Sequence, residues 1–320
     1  MARYIAPLLI ALVAAPAFAD PPRIPPLSND AVWKLLPREQ PPLPAWALAL
    51  AESMPKTVAR QLELDAVHRA KNPLDPILRA KMRWVAADAN RCDYSKRYAE
   101  ADLRRAGLPE PELESLAKHG VAYDKDWPAY AFARKLTLAA SAVTDEEMAE
   151  LLDQYGPAKL TAMVHTLAHA NFQDRIVLAL GLTVEANGPF PPLNQLFDPN
   201  PTTPAPSRPE WKQVEVANVP EPKLRWSEKS LTDLHKELAR QKARKPRIPV
   251  PGPEVIAKLP DAARPQASRV VWTTVSMGYQ PMLTKAWFDT MSTFQSEAKF
   301  DRVFSNSYFW VITRTNDCFY

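Results

Sequence analysis

The 320 residues contain two cysteines, Cys92 and Cys318, and both close the same pattern, Trp-Val-x4-Asn-x-Cys-x-Tyr. The first copy of the pattern runs from Trp84 to Tyr94 and the second from Trp310 to Tyr320. A thiolate at the start of a helix is a nucleophile and a redox centre, whereas a cysteine with no such setting packs as a small hydrophobe. A Cys92–Cys318 disulfide would need Cα atoms within about 7 Å, which two equivalent sites in separate domains do not readily meet. His165 and His169 form the other chemical spacing. They stand four apart, as metal ligands on a helix do, but with Phe172 and Ile176 on the same face and no cysteine or carboxylate motif beside them. Satisfied core histidines are the expectation there, with no metal and no cofactor.

The elements that position these residues read as helices. Leu78, Met82, Val85 and Ala89 fall on one helical face ahead of Cys92, and Cys92, Ser95, Ala99, Leu103 and Ala106 make a second stripe ending at Gly107-Leu108-Pro109. Phe132, Leu136 and Ala140 form a third. Thr144 with Glu147 is a capping box that opens a helix to Tyr155-Gly156, and Pro157 starts a long helix to Gly181, apolar on nearly every face. No stretch keeps a two-residue alternation, so the fold class expected is all-α.

Composition frames that domain. The content is 46% hydrophobic and the formal charge is +4, too small for a strong nucleic-acid or membrane field. Beside 7 glycines there are 34 prolines, concentrated at Pro21–Pro44 and Pro189–Pro265, which predicts extended, poorly helical tracts. One helical island stands in the second tract, with Leu231, Leu234 and Leu238 followed by the basic run Arg240 to Lys245. At the N-terminus, Arg3, the uncharged run Tyr4–Ala15 and Ala17-Phe18-Ala19 before Asp20 form a cleavable signal peptide. Its apolar run is shorter than the roughly 20 residues that span a bilayer, so an exported (periplasmic or extracellular) protein without stable membrane insertion is expected.

An internal repeat ties the two cysteines together. At an offset of 226 residues, positions 46–94 align with 272–320 without a gap, and eight of the 49 are identical, two tryptophans and the cysteine among them. Composition alone would give about three. Phe304, Tyr308, Val311 and Thr315 repeat the stripe of Leu78, Met82, Val85 and Ala89. The reading is a tandem duplication whose second copy is truncated at Tyr320. The expected organisation is a signal peptide at 1–19, a Pro-rich segment at 20–44, a first helical domain at 45–185, a Pro-rich linker with one basic helix at 186–265, and the start of a second domain at 266–320.

A helix ending in Asn-x-Cys-x-Tyr, a cysteine-bearing helix closing on Arg-Ala-Gly-Leu, and the later runs Thr144-Asp145-Glu146-Glu147 and Ala170-Asn171-Phe172-Gln173-Asp174-Arg175 resemble the carboxymuconolactone decarboxylase family, which includes alkylhydroperoxidase D. The match covers about residues 55–185 and, through the repeat, 280–320. Redox-active members carry Cys-x-x-Cys followed by x-x-x-His, with a glutamate on the preceding helix. The resemblance therefore implies a helical alkylhydroperoxidase D-like fold and thiol peroxidase or disulfide-reductase chemistry on a small-molecule hydroperoxide, fed by an electron donor. It also implies association through helix faces, as a homo-oligomer or between the two copies.

The first copy departs from the family pattern at each partner. Cys92 remains, but Ser95 stands at the resolving position, Ala99 at the histidine position and Ala80 about where the glutamate lies. Cys92 could then reach sulfenic acid but close no local disulfide. Copy one reads as degenerate, and Cys318, whose resolving position would be residue 321, as the active thiol. Two other readings stay open: a non-catalytic helical binding or assembly protein, and a cysteine-independent lactone decarboxylase-like enzyme using Arg83, Arg97, Glu100 and His165.

Overall fold

A computed structural model describes residues 21–36, 41–193, 230–260, 270–316 and 318. The signal-peptide reading at 1–19 lies outside the described residues. Within them the chain is all-α, with thirteen α-helices, one short 3-10 turn at Ala140–Ala142 and no strand. None of these helices is long and apolar enough to cross a membrane.

Two proline-rich stretches contain more helix than their composition predicts. In the first, α1 spans Asn29–Leu35, because Ser28 supplies an N-cap, its Oγ accepting from the Ala31 N–H at 3.2 Å. The turn back is held by side chains: Asn29 Oδ1 accepts from the Leu43 N–H at 2.7 Å, and Trp33 Nε1–H donates to the Pro41 carbonyl at 3.1 Å. In the second, α9 (Leu231–Ala243) is joined by a short α10 (Pro253–Ala257). Proline at the first turn of a helix costs no hydrogen bond, so density of prolines alone does not exclude helix.

The main body is built on α2 (Ala45–Leu50), α3 (Pro55–Ala70), α4 (Pro76–Ala89), α5 (Asp93–Arg105), α6 (Glu110–His119), α7 (Trp127–Ala139) and α8 (Asp145–Leu180). Thr144 and Glu147 form the reciprocal capping box at the start of α8. Gly156, at φ 73° and ψ 167°, interrupts α8 before Pro157, a conformation that penalises any side chain. The Leu78–Met82–Val85 stripe of α4 is buried against α5, α7 and α8. A second core gathers Val32, Trp33 and Leu36 of α1 with Trp46, Cys92 and Val177. The N-terminal segment thus closes over the cysteine rather than trailing from the domain.

The C-terminal part consists of α11 (Val271–Tyr279), α12 (Pro281–Ala298) and α13 (Arg302–Thr315). These helices correspond to α2, α3 and α4 at the 226-residue offset, down to single hydrogen bonds. Pro55 and Pro281 open α3 and α12 after residues of nearly the same conformation, Met54 (φ −143°, ψ 61°) and Gln280 (φ −136°, ψ 62°). Asp75 and Asp301 cap α4 and α13, accepting from Leu78 N at 3.0 Å and Phe304 N at 2.9 Å. The Cys92 N–H donates to the Ala87 carbonyl and the Cys318 N–H to the Thr313 carbonyl, each at 2.8 Å.

The equivalent helices α3 and α12 also pack on each other, antiparallel. Glu297, near the end of α12, accepts from the Lys56 and Thr57 N–H groups (3.0 and 2.8 Å) and from Thr57 Oγ1 (2.6 Å). Three otherwise unmet donors at the start of α3 are thereby satisfied, and the carboxylate faces the positive end of the helix dipole.

Candidate functional site

Cys92 sits at the N-cap of α5 after Arg91, whose left-handed backbone (φ 55°) turns the chain between α4 and α5. Its thiol is completely buried, with Ser95 Oγ at 3.5 Å. Burial and the nearby Asp174 carboxylate push the thiol up from its ordinary value, and the Ser95 contact and Arg83 only partly oppose them. A helix N-terminus would favour the thiolate, but here desolvation wins. Ser95, one helical turn on, offers no second sulfur. Cys92 is therefore a core thiol, and Ala80 and Ala99 are likewise buried.

The rest of the pattern holds the helices together. Asn90 Nδ2 donates to Asn171 Oδ1 (3.0 Å) and to Asp174 Oδ2 (2.8 Å), tying the end of α4 to α8. Tyr94 and Tyr98 stack, and their hydroxyls donate to Glu185 at 2.7 and 2.9 Å; the Ala45 N–H donates to the same carboxylate. Burial, and then the neighbouring phenol and Glu185, hold Tyr94 well above its usual range.

Beside this lies a polar cluster that helical periodicity did not reveal. Asp65, His68 and Arg69 from α3 meet Arg83 from α4 and His169 and Gln173 from α8, all buried. Arg69 donates to Asp65 Oδ2 at 2.9 Å and grips Asp102 through two bonds of 2.8 Å. Arg83 donates to Gln173 Oε1, and Gln173 Nε2 reaches Asp65 Oδ1 at 3.4 Å. Burial alone would raise Asp65, but the Arg69 charge, with His169 and Arg83, holds it well below the usual carboxylate range.

The two imidazoles of the cluster are of a different kind. His68 and His169 stack with centroids 4.3 Å apart, and neither His68 Nδ1 nor either His169 ring nitrogen makes a hydrogen bond. His169 Nε2 stands 3.6 Å from Asp65 Oδ1, beyond hydrogen-bond reach. Burial, reinforced by each other and by Arg83, drives His68 well below its ordinary value, and burial likewise lowers His169. The expectation of satisfied core histidines on an apolar face fails here, since Thr166, Gln173 and Asp174 share the buried side of α8. The void among these groups measures about 10 Å³, room for one water and for no organic substrate. No group of three or more His, Cys, Asp or Glu able to hold a metal occurs among the described residues.

The four groups considered for cysteine-independent chemistry do not converge. Arg83 belongs to the buried cluster. Arg97 pairs with Glu100 at 3.4 Å, and Glu100 accepts from Trp84 Nε1 at 3.3 Å. His165 faces away, 3.4 Å from Thr284 Oγ1 of α12, its imidazole lowered by burial to about 4. Cys318 is the opposite of Cys92: its backbone makes the equivalent turn, but its side chain is exposed, and both cysteines are free thiols. The alternative of a Cys92–Cys318 disulfide is not what forms.

No family model, curated protein or solved structure matches this chain.

Proposed function

We propose that the chain is an exported, tandem alkylhydroperoxidase D-like protein in which the first copy is a structural partner and Cys318 carries thiol peroxidase or disulfide-reductase chemistry. The contrast between two cysteines at the same helix turn carries this reading: Cys92 is sealed and its thiol pushed up, whereas Cys318 is open to solvent. A thiolate at Cys318 attacks one oxygen of a hydroperoxide, releasing the alcohol and leaving a sulfenic acid. A dithiol donor then supplies two electrons, becoming a disulfide and releasing water while the thiol is restored.

The test is hydroperoxide consumption with a dithiol reductant, measured on the wild type, Cys318→Ser and Cys92→Ser. Loss of turnover in Cys318→Ser with activity kept in Cys92→Ser is the expected outcome. Equal background rates in all three would discard the enzymatic reading. A helical binding or assembly role would then stand, and one observation favours it. On α13, Phe304, Tyr308 and Trp310 are exposed, whereas their counterparts Leu78, Met82 and Trp84 on α4 are buried.

A further inference from the structure

A cleft of about 700 Å³ opens between the first and middle turns of α8, the end of α9 with the segment after it, and α11. Its floor is apolar: Val164 from α8, Ile248, and Val271, Trp272 and Val275 from α11. Trp272 is 43% exposed there, although Trp46, its counterpart 226 residues earlier, is 1% exposed. One face of the ring is backed by Phe288, stacked with centroids 5.8 Å apart. A tryptophan left open in a concave, otherwise apolar wall offers a large surface for a guest.

The rim is cationic. Lys242, Arg244, Lys245 and Arg247 line the mouth, and among the described residues no carboxylate lines the cleft. Asp145 approaches from outside. Arg244 Nη2 and Arg247 Nε both donate to the same oxygen, Oδ1, at 2.7 and 2.6 Å, so two guanidiniums share one negative charge. Neither Lys242 nor Lys245 has an acidic partner among the described residues. Four cations against one carboxylate leave an uncompensated positive field over an apolar hollow, which raises the local concentration of anions. His165, on the α8 wall, adds no charge near neutral pH because burial keeps its imidazole neutral.

We propose that this cleft binds an amphipathic monocarboxylate, its hydrocarbon tail on Trp272, Val271, Val275 and Val164 and its carboxylate between Lys242 and Lys245. The shape separates this guest from a polyanion. A basic helix docking on nucleic acid or a membrane presents its cations outward on a convex face, whereas these cations border an apolar hollow of about 700 Å³. The site uses neither cysteine, and it stands or falls independently of the thiol chemistry.

Calorimetric titration of the full chain with dodecanoate, below its micellar concentration, tests the assignment. One-to-one binding of dodecanoate is expected, with dodecylammonium and acetate each binding at least tenfold more weakly. The exposed pair Lys242→Glu/Lys245→Glu should weaken dodecanoate at least tenfold while circular dichroism stays unchanged, and Trp272→Ala should weaken it comparably. Equal affinity for dodecanoate and dodecylammonium, no effect of the charge reversal, or binding to phosphatidylglycerol vesicles without binding of dodecanoate would each overturn the proposal.

Discussion

Lowering the pH from 8 to 5 should destabilise this protein through its buried imidazoles, His68, His165 and His169. His68 and His169 are enclosed, stacked on each other and lowered from their ordinary value, and burial lowers His165 to about 4, so folding opposes protonation at all three. The unfolded chain protonates histidine near pH 6.5. A folded value depressed in this way means the contribution is present above about 6.5 and is lost as the pH falls toward the folded value. His165, with a folded value of about 4, stays neutral at pH 5, so the unfolded state gains about 2 kcal/mol of protonation free energy on its account, and His68 and His169 add to the loss in the same direction. That is a large share of a typical domain's stability. Urea unfolding followed by circular dichroism at pH 8 and pH 5 measures it. His68→Gln, which cannot titrate at this position, should lose part of that pH dependence whatever its stability at pH 8. The reasoning is refuted if wild-type stability is flat between pH 8 and pH 5, or if His68→Gln retains the full slope. Asp65 does not produce the same slope, because its value is held so low that it stays ionised across this range.

Two further outcomes follow from the burial of Cys92 and the packing of α12 on α3. Titration with a coloured disulfide reagent should detect one thiol, Cys318, in the native protein and two in denaturant; rapid reaction of both in the native state would contradict the sealing of Cys92 by α1 and α8. Glu297→Ala strips the cap from α3 and should cost about 1–2 kcal/mol in urea unfolding. Glu297→Gln should recover part of that cost by keeping an acceptor oxygen, and equal stability of all three proteins would show that this contact between α12 and α3 carries no free energy.

Helices with an apolar stripe were legible in the sequence, and those with a polar interior were not. The Leu78–Met82–Val85 face, the Thr144 capping box and the break at Gly156-Pro157 all carry local signals, and the chain folds along them. α3 was invisible to that test because Gln61, Asp65, His68 and Arg69 lie on its buried side. Their polarity interrupts the stripe, yet tertiary partners on α4, α5 and α8 make them core residues. The i, i+4 pair Asp65 and Arg69 was the available clue, but such pairs usually mark a solvated face. In the same way His169 looked apolar in context because its neighbours Asp65 and His68 come from more than ninety residues away.

The cysteines show what a repeated motif can and cannot specify. Asp75 and Asp301, Asn90 and Asn316, and the turns closed at Cys92 and Cys318 reproduce one backbone twice, so the spacing encodes local geometry faithfully. Reactivity is not encoded at that level. Cys92 is silenced by side chains from α1, α2 and the end of α8, segments distant in sequence that bring Val32, Trp46 and Val177 into its core. Desolvation then outweighs the helix terminus that would otherwise stabilise a thiolate. Two cysteines in one motif can therefore differ in burial without any change in the motif itself, because the covering segments lie far away in the sequence.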